Sequence, residues 1–169
     1  MNVLEEEVLQ EVSEDTQHGR YLTFDVGTEE FGIGIRYVTE IVGMHPITAL
    51  PEMPDYIRGI INLRGKIFPV MDVRLRFHKP PIQYTDRTCI IVVNIEDLTV
   101  GLIVDQVAEV MSISDENISL PPDYRTGFVN RYISGIGKVG NEVKLLIDTE
   151  NLFMEEEIQQ MLVNESRAS

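Results

Sequence analysis

Residues 59–72 read GIINLRGKIFPVMD, and residues 135–148 read GIGKVGNEVKLLID. Each is an apolar run, a short polar turn and a second apolar run that closes on an aspartate. Displaced by 76 positions, Ile57, Gly59, Ile60, Asp72 and Phe77 fall on Ile133, Gly135, Ile136, Asp148 and Phe153. An earlier stretch recurs at an offset of 69, where Gly32, Val38 and Glu40 meet Gly101, Val107 and Glu109. Around those identities Phe24, Phe31, Ile35 and Ile41 lie over Val93, Val100, Val104 and Val110. A longer second loop absorbs the difference between the offsets. The shared order predicts a tandem duplication, hence two similar small units rather than one large sandwich.

The units are β. YLTFDVG at residues 21–27 alternates at period two, and TCIIVVNIEDLTVGLIVD at 88–105 holds two apolar runs joined at Glu96-Asp97, a hairpin pattern. KIFPVMDVRLRF and EVKLLIDTENLF each read as a strand ending near an Asp. Pro69 marks the first of these as an edge or a bulge. Prolines and polar residues concentrate in 44–59 and 114–135, which are connections. Leu152, Phe153, Ile158, Met161 and Leu162 are spaced for a C-terminal helix. Each unit has about 60 residues, a size that buries too little surface to be stable alone. The two are therefore expected to share a core, with a groove at their junction suited to binding.

Composition narrows the function. The chain has 169 residues, is 43% hydrophobic and 25% charged, and carries a formal net charge of −14. More than half of that excess lies in residues 1–20 and 151–169. A net negative centre argues against a nucleic-acid binder, which needs clustered cations along the phosphates. The local exception is Arg58, Arg64, Lys66, Arg74, Arg76 and Lys79, six bases around the single Asp72, read as a solvated rim or a dock for an acidic surface. One cysteine, Cys89 in TCIIVV, excludes a disulfide framework and reads as a small buried hydrophobe. The acidic N-terminus has no basic segment followed by an apolar one, so it is not a signal peptide, and no apolar run reaches membrane-spanning length.

No catalytic pattern emerges. GIGKVG at 135–140 spells G-x-G-x-x-G, but a strand follows it rather than the helix a dinucleotide site requires. His18, His45 and His78 lack second ligands at metal spacing, and no nucleophile elbow is present. Asp72 and Asp148 hold equivalent places in the repeat, which points to a shared turn-forming task more than to paired acid–base chemistry. The expectation is a binding module: no catalytic residue, no cofactor and no metal.

The duplication supplies a control for Asn62-Leu63-Arg64-Gly65. Its counterpart is Lys138-Val139-Gly140-Asn141, so Gly140 stands where Arg64 does. A turn of this fold is made without an arginine. A guanidinium on a tight turn is placed for a carboxylate fork, and arginine is enriched among interface hot spots.

YIRGIINLRGKIFPVMDVRLRF, preceded by FGIGIRYVTEIVG and ITALPEMPDY, closely resembles the CheW family of bacterial chemotaxis coupling proteins. TVGLIVDQVAEV and YISGIGKVGNEVKLLIDTENLF resemble the same family in the second half. The resemblance runs from about residue 20 to 155. Gly34 departs from it, standing where the family more usually has a polar residue. It implies an all-β fold of two tandem SH3-like five-stranded β-barrels packed on each other, with a short C-terminal helix. On that plan residues 1–19 are an acidic mobile tail, 20–80 the first barrel, 81–150 the second and 151–164 the helix packing on the barrels, with allowance for a strand crossing between subdomains.

The resemblance also implies a cytoplasmic, non-catalytic scaffold. Such a scaffold holds the histidine kinase CheA, which carries a homologous regulatory domain, to the cytoplasmic tips of methyl-accepting chemoreceptors at the inner face of the membrane. An adaptor of the same fold serving a non-chemotactic two-component pathway is the alternative. Carried over residue by residue, Arg64 and Glu40 match receptor–kinase coupling positions. Val38, Val107 and Val110 match apolar positions of the same segments, and with Ile35 and Val104 are expected to line the receptor groove. Gly59, Asn62 and Gly65 shape the turn. Neither nucleic acid nor direct membrane insertion is expected.

Overall fold

The computed structural model describes residues 17–121 and 131–153. Residues 1–16 of the tail expected over 1–19, and residues 154–164 of the helix expected over 151–164, lie outside the described residues. Eleven strands are described: β1 Arg20–Val26, β2 Glu29–Gly34, β3 Val38–Gly43, β4 Ile57–Leu63, β5 Lys66–Asp72, β6 Cys89–Ile95, β7 Leu98–Val104, β8 Gln106–Ser112, β9 Ile118–Ser119, β10 Ile133–Val139 and β11 Glu142–Ile147. Two one-turn helices follow β5 and β11, α1 Val73–Arg76 and α2 Thr149–Leu152.

The strands form a six-stranded sheet in the order β8-β1-β2-β11-β10-β9 and a five-stranded sheet in the order β3-β6-β7-β5-β4. Two units of β structure are present, as the repeat requires, but the sheets cut across the expected boundary at residue 80. The five-stranded sheet takes everything from Val38 to Val104, and the six-stranded sheet takes both ends of the chain. Each repeat gives its leading hairpin to one sheet and its trailing strands to the other. The cause is the pairing of β2 with β11 and of β5 with β7, both parallel. A parallel pair cannot be closed by a tight hairpin, so it joins strands remote in sequence.

Registers show the duplication residue by residue. Gly32 pairs with Leu146 and Gly101 with Val70, equivalent pairs under the two offsets. A Cβ on Gly101 would stand 2.7 Å from Ile90 Cγ2 and 2.9 Å from Val70 Cγ1, and one on Gly32 would stand 3.0 Å from Leu146 Cδ2. The strands thus approach closely at both places, and only glycine fits at Gly101 without movement. Leu22 opposite Val110 and Ile91 opposite Ile41 form a second equivalent pair.

Asp72 and Asp148 perform the shared structural task. Asp72 Oδ1 accepts from Leu75 N at 3.3 Å, and Asp148 Oδ1 accepts from Asn151 N at 3.1 Å. Each caps one of the short helices, where backbone N–H groups lack partners. Their own N–H groups donate to Tyr56 O and Tyr132 O, again an equivalent pair.

One core joins the sheets. Phe24, Phe31, Phe77 and Tyr132 run in sequence at centroid spacings of 5.7, 5.1 and 5.9 Å. Arg76 is buried between Tyr56 and Tyr132, its Cζ 4.4 Å from each ring centroid, and Nη2 donates to Leu152 O at 3.0 Å. Guanidinium over aromatic faces is favourable, and more so when shielded from water. The basic stretch is therefore no single rim. Arg76 is internal, Arg74 pairs with Asp105 at 2.6 Å and Lys79 pairs with Glu29.

Candidate functional site

β4 and β5 pair with Leu63 opposite Lys66, leaving Arg64 and Gly65 as a two-residue loop. Their φ angles are 52° and 90°. Positive φ at both positions is the type I′ geometry, whose twist matches that of the flanking strands. Gly65 accepts it freely. An L-residue at Arg64 does so at a cost of roughly 1–2 kcal/mol. Asn62 Oδ1 receives the Gly65 N–H at 2.8 Å, which fixes the loop. Gly59 has φ 143° and sits at a register shift between Ile57 and Gly59, where β4 bends past the Thr48 carbonyl. Of the expected turn-shaping residues, Asn62 and Gly65 meet at the loop, whereas Gly59 lies away from it against Thr48.

The loop delivers Arg64 to β3. Arg64 Nη2 lies 2.6 Å from Glu40 Oε1 and 2.5 Å from Oε2. The arginine side chain remains 67% exposed and the glutamate 30%. Glu40 therefore steadies a guanidinium that is largely exposed. Beside the pair, a cavity of about 310 Å³ opens between β3 and the loop, with Lys66 on its rim and Leu63 and Phe68 among its lining residues. An oriented guanidinium next to a lysine and apolar walls suits recognition of a carboxylate-bearing protein surface.

The groove expectation is corrected. Ile35, Val38 and Val104 are 0%, 2% and 1% exposed and belong to the shared core. Alternation on a strand shows that one face is covered, not whether core or partner covers it. Val107 and Val110 differ: both are half-buried on β8, which among the described residues is an edge strand paired only with β1. Arg64 and Glu40 are brought together, whereas Val107 and Val110 belong to the other sheet. Lys66, Phe68, Asn94 and Thr99, which also line the cavity, were not legible as site residues, because only the strand pairing collects them.

Other reactive groups have structural settings. Burial pushes the Cys89 thiol up to about 11, away from the thiolate form a nucleophile needs. Tyr84 Oη donates to Asp72 Oδ2 at 2.9 Å, and burial followed by the neighbouring carboxylate pushes the phenol up to about 12. Among the described residues no group of three or more His, Cys, Asp or Glu is placed to hold a metal, and no helix is long and apolar enough to cross a membrane.

Residues 20–157 match the model of the CheW-like domain. The chain is 36% identical over 144 residues to the chemotaxis protein CheW of Klebsiella aerogenes, covering 85% of this chain and 87% of that protein. It is 33% identical over 144 residues to CheW of Treponema pallidum, covering 83% and 85%. Among solved structures, the scaffolding protein TtCheW from Thermoanaerobacter tengcongensis superposes with a TM-score of 0.76 at 36% identity, covering 82% of this chain and 94% of that one. The chain belongs to the CheW family.

Proposed function

We propose that this chain is a non-catalytic adaptor that couples the cytoplasmic tips of chemoreceptors to the histidine kinase CheA. The observation that supports this reading most is the Arg64 loop. A long cationic side chain is kept in a left-handed conformation, braced by Glu40 and mostly exposed, at a place where the other half uses Gly140. A residue that costs stability where glycine would serve is explained by a contact outside the chain.

In this reading the protein works in the cytoplasm and is held at the inner membrane face through the receptors. A receptor tip is a helical hairpin, and an apolar stripe along one of its helices docks against half-buried apolar residues, with Val107 and Val110 on β8 as the contact. Arg64 fixes orientation from the rim. The kinase, through its homologous regulatory domain, takes a different face. The absence of catalysis is supported by Asp72 and Asp148, which serve as helix caps.

The test is co-sedimentation of receptor-tip assemblies and kinase with wild-type protein, Arg64→Gly and the paired Val107→Ala/Val110→Ala. Arg64→Gly is expected to weaken recruitment by about 2 kcal/mol, roughly thirtyfold. Unchanged recruitment with both variants would remove these residues from the interface.

A further inference from the structure

The cavity beside Arg64 is an open end of the five-stranded half. All five of its strands, β3 to β7, give residues to the lining, and the cavity reaches the smaller apolar cluster at Leu63, Phe68 and Val92. Two cations, Arg64 and Lys66, stand there against the single carboxylate of Glu40. Lys66 is exposed and, among the described residues, makes no ion pair. The duplication supplies a comparison at this place too. Gly140 stands for Arg64, Glu142 for Lys66 and Glu109 for Glu40, while Asp25 and Glu30 stand for Asn94 and Thr99. The counterpart thus has four acids and one cation, Lys144 in place of Phe68, which Glu30 and Glu142 already hold. An acidic segment is drawn to the first place and repelled by the second.

The chain itself contains a segment that fits. Residues 1–16 carry six acids and no Lys, Arg or His. Val8 and Leu9 separate Glu5-Glu6-Glu7 from Glu11, Glu14 and Asp15, so short apolar and acidic blocks alternate. The cavity offers the complement, two cations beside an apolar cluster. The path is short. Gln17, where the segment joins, lines the same cleft as Tyr37. From Tyr37 the chain enters β3, and Glu40 is three residues on, roughly 10 Å away. Glu7 precedes Gln17 by ten residues, a reach of roughly 33 Å when extended.

We propose that residues 5–15 dock back onto this open end, their carboxylates on Arg64 and Lys66 and Val8 and Leu9 on the apolar side of the cavity. A single exposed ion pair is weak. A segment tethered to the same chain acts at an effective concentration on the order of millimolar, so several such pairs together hold it. Exposed charges are screened by salt, which therefore loosens the docking. The consequence for function rests on the reading of Arg64 as the coupling contact. In that reading the segment competes with the receptor for the loop, and coupling is restrained until the receptor displaces it.

The test uses the full chain and a carbodiimide, which joins a carboxylate directly to an amine. Four lysines are present. Lys79 is held by Glu29 and Lys144 by Glu30 and Glu142, whereas Lys138 is exposed beside the counterpart turn and serves as the control. Mass spectrometry of the monomer at micromolar concentration is expected to find residues 5–15 joined to Lys66 in preference to Lys138. The yield should fall in molar salt and in Arg64→Gly. No joint to Lys66, equal joints to Lys66 and Lys138, or joints between chains only would overturn the docking. The second variant is the full chain carrying Glu5→Gln, Glu6→Gln, Glu7→Gln, Glu11→Gln, Glu14→Gln and Asp15→Asn. With the segment docked about four-fifths of the time in wild type, this variant should bind receptor tips about fivefold more tightly. A joint to Lys66 together with receptor binding indifferent to Arg64→Gly would reject the coupling reading and uphold the docking, so the two failures are told apart. Where Arg64→Gly does weaken recruitment, unchanged affinity of the second variant would overturn the competition.

Discussion

Arg64 and Gly140 occupy the same place in the two halves, with φ of 52° and 61°. Positive φ at this place is common to both halves, although the next residue has it at Gly65 and not at Asn141, so the two loops are different turns. Only one half meets the shared positive φ with glycine. Arg64→Gly should therefore leave stability nearly unchanged in a urea melt. Relief of a left-handed residue, about 1 kcal/mol, offsets loss of an exposed ion pair with Glu40 worth about 1 kcal/mol or less. A loss of several kcal/mol would mean that Arg64 holds the fold, and its functional reading would fail.

Gly59 is the opposite case. Its φ is 143°, and a Cβ there would stand 2.1 Å from the Thr48 carbonyl oxygen. Gly59→Ala should cost about 3 kcal/mol or more, because backbone strain and a backbone clash add. Gly140→Ala, with nothing within 4 Å of its Cβ, meets only the φ penalty. Denaturant melts of the two variants should differ by about 2 kcal/mol; equal effects would contradict the close approach of β4 to Thr48.

Cys89 should react slowly. With its pKa pushed up to about 11 by burial, the thiolate fraction near neutral pH falls about a hundredfold below that of an ordinary cysteine. Iodoacetamide labelling of the native protein should be slower than that of the urea-unfolded chain by at least this factor. Equal rates would show that β6 opens freely.

Alkaline pH gives a further test. The Tyr84 phenol has a folded pKa of about 12 against 10.0 for its ordinary value, through burial and then Asp72. The unfolded chain releases this proton first, so it binds fewer protons than the folded one between these values, and stability falls as pH rises. The contribution is whole below pH 10 and declines from there to about pH 12. Tyr84→Phe should flatten that part of the pH–stability curve. An unchanged slope would place the loss elsewhere.

The parts of the fold legible in the sequence are those where backbone geometry dictates residue type. Gly32 and Gly101 mark close strand approaches, and Asp72 and Asp148 mark helix caps, so both repeats surfaced by simple displacement. Sheet membership was not legible. The parallel pairings of β2 with β11 and β5 with β7 join residues far apart in sequence, and nothing local encodes them. The same limit applies at the site. Arg64 stood out because Gly140 replaces it, but Val38 and Val104 needed the structure to be recognised as core. Val38→Ala is accordingly expected to act through stability, by about 1–2 kcal/mol, rather than through a lost contact.

The account rests on coupling, and kinase autophosphorylation measured in a reconstitution of receptor tips, CheA and this protein tests it most directly. Kinase activity should depend on the receptor only when wild-type protein is present, and Arg64→Gly, folded and as stable as wild type, should weaken that dependence severely. Full receptor control of the kinase without this protein, or with Arg64→Gly at wild-type level, would contradict the account.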